Sequence, residues 1–201
     1  NDKILVISFI NYIVDDLYNS LPKDCKIYTL HKLAKIIIHR YLGFGLNFTS
    51  PLTNNFNMAW ECDHTNICKD LIVLKKLNVD TKTLEFSLKT YFQTLSSKPA
   101  ILSSYLELVS FYNVITFEDS IVRAIRALQK ASVATFKKIV VDEYQDFDLA
   151  EQRLVKILFE KSEGGIIAGD DDQSIYSGRK ADPFGFLALA EDNKWEKRTL
   201  P

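Results

Sequence analysis

Phe136-Lys137-Lys138-Ile139-Val140-Val141-Asp142-Glu143-Tyr144-Gln145-Asp146 is the stretch on which the reading of this chain turns. From Lys138 to Val141 it is short and apolar, and it stops abruptly in two acids. An apolar run without polar alternation predicts a strand buried on both faces, as in a parallel sheet covered by helices. Downstream, a helical pattern over 148–161 leads to a second such run, Gly165 to Ala168, which ends in Gly169 and the acids Asp170, Asp171 and Asp172. Upstream, Lys3 to Ser8 (KILVIS) reads as a third buried strand, followed by a helical stretch with Ile13, Val14, Leu17 and Tyr18 at helical spacing. Lys26 to Thr29 reads as another short strand, and Leu33, Ile36, Ile37, Arg40 and Tyr41 are spaced as a helix with one apolar face after it. Strands alternating with helices predict an α/β fold with a parallel sheet. In such sheets ligands bind at the carboxyl ends of the strands, where both acidic segments lie.

The middle of the chain is different. Gly43 to Asn57 reads as a loop. Three helical patterns fill 67–112, separated near Asn78-Val79-Asp80 and at Ser96-Ser97-Lys98-Pro99, and no convincing strand lies among them. The expectation is a small helical subdomain over 43–115, inserted into an α/β domain made of 1–42 and 116–201. A further amphipathic helix spans 116–130, with Ile121, Val122, Ile125 and Leu128 on one face and Arg123, Arg126 and Lys130 on another. A last helix is expected near Asp182-Pro183.

Composition narrows the class. The chain has 201 residues, 47% hydrophobic and 25% charged, which excludes wholesale disorder and a coiled-coil rod. Its net charge of −1 does not advertise a basic nucleic-acid binder, although a local basic face remains open. Three Cys, an odd number, suit a reducing interior better than a disulfide framework. No apolar run is long enough for a membrane span, and Asn1-Asp2-Lys3 does not begin a signal peptide. The chain contains no G-x-x-x-x-G-K-[ST] phosphate-binding loop. It starts without Met and stops at Thr199-Leu200-Pro201, so it is expected to be a piece of a longer protein. Cys62-x-His64-x-x-x-Cys68 offers three zinc-type ligands at atypical spacing, with no fourth nearby beyond Asp63.

The acidic segments suggest chemistry. A strand ending in Asp142-Glu143 is the Walker B arrangement: the Asp serves Mg²⁺, which prefers few carboxylates plus phosphate oxygens, and the Glu can activate a water. The plain alternative is a pair of helix-capping or solvated turn residues. In Gly169-Asp170-Asp171-Asp172-Gln173-Ser174-Ile175-Tyr176 the Gln could read a γ-phosphate, and the plain alternative is an acidic turn.

Together, DEYQD (142–146) and GDDDQSIY (169–176) resemble motifs II and III of superfamily 1 helicases of the UvrD/Rep type. Ser8-Phe9-Ile10-Asn11 is similar to motif Ia of that family, and Thr29-Leu30-His31-Lys32-Leu33-Ala34 to motif Ib. Thr116-Phe117-Glu118-Asp119 resembles the segment that leads back into the core. The resemblance implies a first RecA-like motor domain with a helical insertion, using ATP and Mg²⁺. It puts Asp142 on the metal, Glu143 as base and Gln173 on the γ-phosphate, with Asp170 on the nucleotide side. It implies that Phe9 and Tyr176 stack on bases of single-stranded DNA, which suits a motor because every base has a π-face. Thr29 and His31 would lie along the DNA backbone, with Asn11 and Arg179 also among the DNA contacts, and Gln145 and Asp146 would link the nucleotide and DNA sides. The sequence departs from the family at Gly178, where a second stacking aromatic is usual, at Lys180 in place of Gly, and at Tyr12 in place of Lys.

The implied protein is an ATP-dependent helicase that moves on single-stranded DNA and opens duplex junctions, in repair or replication, in the cytoplasm at the nucleoid. Its partners within its own chain would be a P-loop segment before residue 1 and a second RecA-like domain after residue 201, so the isolated chain is expected to be inactive. The rival reading is a degenerate, non-catalytic module that keeps the shape to bind DNA or protein.

Overall fold

The computed structural model describes residues 4–8, 14, 17, 19–23, 25–41, 57–59, 61–112, 114–130, 136–170, 185, 188–189 and 195–199. In chain order the elements are β1 (Ile4–Ser8), β2 (Lys26–Thr29), α1 (Leu30–Tyr41), β3 (Asn57–Ala59), α2 (Glu61–Lys75), α3 (Thr81–Thr94), α4 (Leu102–Phe111), β4 (Val114–Thr116), α5 (Phe117–Lys130), β5 (Lys138–Val141), a 3-10 turn (Tyr144–Asp146), α6 (Leu149–Glu160) and β6 (Gly165–Ile167).

The four apolar runs form one parallel sheet in the order β2-β1-β5-β6. Leu5 faces Ile139 and Ile7 faces Val141 across β1 and β5, while Ile139 faces Gly165 across β5 and β6. Leu5, Ile7, Ile139 and Val141 are fully buried. The alternate residue Val6 packs with Val14, Cys25 and Ile27, and Ile4, Leu17, Leu21 and Val140 border that cluster. The central strands are thus covered on both faces, which is why they read as continuous apolar runs. Because every pairing is parallel, Ser8, Thr29, Val141 and Ile167 end their strands along one edge of the sheet.

Gly165 is required where β6 meets β5. A Cβ there would lie 1.8 Å from the carbonyl oxygen of Ile139, inside any permitted contact.

The chain divides into two compact units, 1–33 with 132–201, and 34–131. The borders therefore fall inside α1 and just after α5, where the sequence pattern put them near 42 and 116. Val122 of α5 belongs to the core of the second unit, together with Ile67, Cys68 and Leu71 of α2, Leu84, Leu88, Tyr91 and Phe92 of α3, and Leu102, Tyr105 and Val109 of α4. The three helices expected over 67–112 are present. The middle block is not purely helical, however. Asn57–Ala59 and Val114–Thr116 pair as a short parallel ladder, with Met58 opposite Ile115. Three-residue strands carry too few side chains to show a period, and these two lie far apart in the chain.

Local signals explain the helix starts. Asp80 caps α3 by accepting from the Thr83 backbone N–H at 3.0 Å. The α4 helix begins at Leu102, whose N–H reaches the Pro99 carbonyl at 3.0 Å, so Pro99 supplies the turn before it. The last helix expected near Asp182-Pro183 lies outside the described residues.

Candidate active site at the carboxyl edge of the sheet

Asp142 leaves the end of β5 at the middle of the sheet edge, and its N–H continues the ladder to the Ile7 carbonyl at 3.0 Å. On the other side the Ala168 N–H bonds the Val141 carbonyl at 2.7 Å, and the Tyr144 N–H bonds the Ala168 carbonyl at 3.1 Å. The segments after β5 and β6 are therefore stitched together beyond the strands themselves. Between them Glu143 takes the left-handed conformation, φ 53° and ψ 45°. A side-chain-bearing residue in that region costs of order 1 kcal/mol or more, and such strain is held only where surroundings over-determine it. Here the anchors are Tyr144 and Phe147, both buried and packed edge to face at 5.8 Å.

The turn separates the two acids chemically. Burial, and secondarily the negative charge of Glu143, push the Asp142 carboxyl above the ordinary aspartate range. The Glu143 backbone N–H donates to Asp142 and pulls the other way. Glu143 accepts at Oε2 from the Gln145 side chain at 2.6 Å. Gln145, 1% exposed, accepts in turn from the Asp170 N–H at 3.0 Å. Motif II and the start of motif III are thus joined by one buried amide. Gly169 makes room for it, because a Cβ there would stand 2.7 Å from Gln145 Oε1. Asp146 is buried in the same turn. Ser8, at the adjoining end of β1, is fully buried, and its hydroxyl has no hydrogen-bond partner among the described residues.

Thr29 and His31 lie at the start of α1. The Thr29 hydroxyl accepts from the Lys32 N–H at 3.4 Å. His31 Nδ1 stands 3.6 Å from Glu151 Oε1. Glu151 also closes a capping box on α6: its Oε2 accepts from the Asp148 N–H, and its own N–H donates to Asp148 Oδ1, both at 2.9 Å. Glu151 did not figure in the sequence reading as a neighbour of His31. The pattern Asp148-x-x-Glu151 before an apolar run carried the capping signal, but nothing in it pointed to α1. Phe9, Asn11, Gln173, Tyr176 and Arg179 lie outside the described residues.

Of the zinc-type residues, Cys62 and Asp63 have side chains outside the described ones, and His64 and Cys68 make other contacts. On α2, His64 Nδ1 meets the Tyr105 hydroxyl at 2.6 Å, and Cys68 Sγ lies 3.9 Å from His64 Nε2. Burial pushes the Cys68 thiol up to about 12, which keeps it protonated at neutral pH. Among the described residues no group of three or more His, Cys, Asp or Glu is arranged to hold a metal ion.

The chain's sequence matches the UvrD/REP helicase N-terminal domain over residues 2–194. It belongs to the UvrD/Rep helicase family. Among UvrD/Rep relatives, it is 30% identical to the ATP-dependent DNA helicase Rep of Buchnera aphidicola over 95% of the chain and 34% of that protein. It is 29% identical to the ATP-dependent DNA helicase PcrA of Staphylococcus aureus over 70% of the chain and 23% of that protein. The chain therefore spans about a third or less of the length of these relatives. Its α/β fold, with a parallel sheet ending in both acidic motifs, is the RecA-like arrangement expected of a UvrD/Rep motor domain. Among the described residues, no helix is long and apolar enough to cross a membrane.

Proposed function

We propose that this chain supplies the hydrolytic edge and part of the DNA path of an ATP-dependent DNA helicase. The observation that carries the reading is the placement of Asp142 and Glu143 at the carboxyl end of the inner strand β5, with Gln145 tying Glu143 to Asp170. Asp142 is a hard oxygen donor in a setting that disfavours its own negative charge, which suits Mg²⁺ shared with phosphate oxygens. When bound, Mg²⁺ neutralises charge on the β- and γ-phosphates. Glu143, anchored at Oε2, takes a proton from the attacking water at Oε1. The water oxygen bonds the γ-phosphorus, the bond to the β-phosphate oxygen breaks, and ADP and phosphate leave. Gln173 senses the γ-phosphate, and Asp170 holds the start of its loop.

Phe9 and Tyr176 would stack on bases of single-stranded DNA, with Asn11, Thr29, His31 and Arg179 along its backbone. The domain limits in this reading are 1–42 with 116–201 for the motor and 43–115 for the insertion. A P-loop strand is proposed to lie beside β6, the outer strand of the sheet, where Ile166 is 63% exposed. A second RecA-like domain would complete the motor, which acts at duplex junctions at the nucleoid in repair or replication. The intact pair Asp142–Glu143 and its tether support this over a binding-only module.

In the complete polypeptide, Glu143→Gln is expected to lower DNA-stimulated ATP turnover by about 10²–10⁴-fold while ATP binding persists. Undiminished turnover would remove Glu143 from the chemistry. The 201-residue chain alone, which has no G-x-x-x-x-G-K-[ST], is expected to show no turnover; activity sensitive to Glu143→Gln in that chain would overturn this part.

A further inference from the structure

Gln145 uses both ends of its amide, and the two ends cannot be exchanged. The Glu143 carboxylate only accepts and the Asp170 N–H only donates, so Nε2 must face the first and Oε1 the second. The amide itself is buried to 1% exposure, while its partners Glu143 and Asp170 are half-buried. A carboxylate in the same place could accept from Asp170 but not donate to the Glu143 carboxylate, and an apolar residue could do neither. The missing Cβ of Gly169 leaves room for Oε1, since a Cβ there would stand 2.7 Å from it.

We propose that Gln145 is a positioning residue that ties the carboxylate of Glu143 to the backbone of the Gly169–Asp170 segment. The base is then held for proton transfer only while that segment stays docked against the end of β5. This rests on the reading of Glu143 as the base given above. The physical reason is conformational. A glutamate has three side-chain torsions, and a left-handed backbone sets where the side chain starts but not where its oxygens finish. One hydrogen bond at Oε2 fixes the carboxylate plane and leaves Oε1 to receive a proton. Because the same amide is bonded to Asp170, displacement of that loop withdraws the amide and frees the carboxylate. Gln173 lies three residues further along the same segment, so a change at the γ-phosphate has a short covalent route to the base.

The test has two independent readouts. Gln145→Met keeps the buried volume and removes both bonds. In the 201-residue chain it is expected to speed hydrogen exchange at the Asp170 amide about tenfold, with amides of β1 and β5 unchanged. In the complete polypeptide it is expected to lower kcat for DNA-stimulated ATP hydrolysis about 10- to 100-fold, with KM for ATP within twofold. Unchanged exchange at Asp170, a kcat within twofold of the parent, or a parallel rise in KM would each overturn the proposal. If Gln145→Met does not fold, Gly169→Ala drives Oε1 off its position by contact alone and is judged by the same two readouts. A parent protein that hydrolyses no ATP would defeat the reading of Glu143 itself, and exchange at Asp170 would still decide whether the tether exists.

Discussion

Asp119 shows at the residue scale how a buried charge is managed inside the second compact unit. It is fully buried on α5, paired with Arg123 one turn along, and its Oδ1 has no hydrogen-bond partner among the described residues. Burial pushes its carboxyl upward, and the Arg123 guanidinium opposes that shift. A raised folded-state value means that folding favours the protonated acid, so stability falls as pH rises through and above the unfolded value. Arg123→Met removes the larger of the two opposing charge effects, the other being that of Arg126. It is expected to cost about 3 kcal/mol at pH 8 and less at pH 5, because the upward shift favours the protonated acid as pH falls. Urea unfolding at the two pH values measures this, and an equal loss at both would show that Asp119 does not carry the effect. At this scale the place of Asp142 and Glu143 at the end of a strand was legible, because an apolar run ending in acids is a local pattern. The partner of Gln145 was not, because Asp170 comes beside it only when β6 docks on β5. The left-handed turn at Glu143 was equally hidden, since glutamate has no local preference for that conformation.

Elements were legible in proportion to their length and period. The α5 helix shows a strong apolar face and buries Ile121, Val122, Ile125 and Leu128. The central strands β1 and β5 were readable as apolar runs because both their faces are covered, whereas Ile166 of the outer strand β6 is exposed. The β3–β4 ladder was not, because three residues on each side gain their strand character only from each other. The close approach of β6 to β5 gives an element-scale prediction. Gly165→Ala places a methyl group 1.8 Å from the Ile139 carbonyl oxygen, and backbone rather than a flexible side chain must yield. The expected loss is about 2–3 kcal/mol, read as a lowered midpoint in denaturant. A neutral effect would mean that β6 can shift along β5 without loss, and the coupling of Gln145 to Asp170 would then loosen as well.

At the scale of the whole molecule, the net charge of −1 bears on DNA. Non-specific affinity for nucleic acid comes chiefly from cations that displace counterions. The 201-residue chain is therefore expected to bind single-stranded DNA more weakly than about 10⁻⁴ M at physiological salt, with a shallow salt dependence. Fluorescence anisotropy of a labelled oligonucleotide measures this; tight, steeply salt-dependent binding would reveal a basic face that the net charge conceals. The UvrD/Rep family, the α/β class and the acidic strand ends follow from the order of residues along the chain, because apolar period, turn chemistry and motif spacing are local properties. Which strands became neighbours is a different matter. Ile7 and Asp142, or Gln145 and Asp170, share hydrogen bonds across long stretches of chain. Those bonds exist only after burial of the sheet has chosen its strand order. The acids were readable before folding; the hydrogen bonds that hold them are made by the fold.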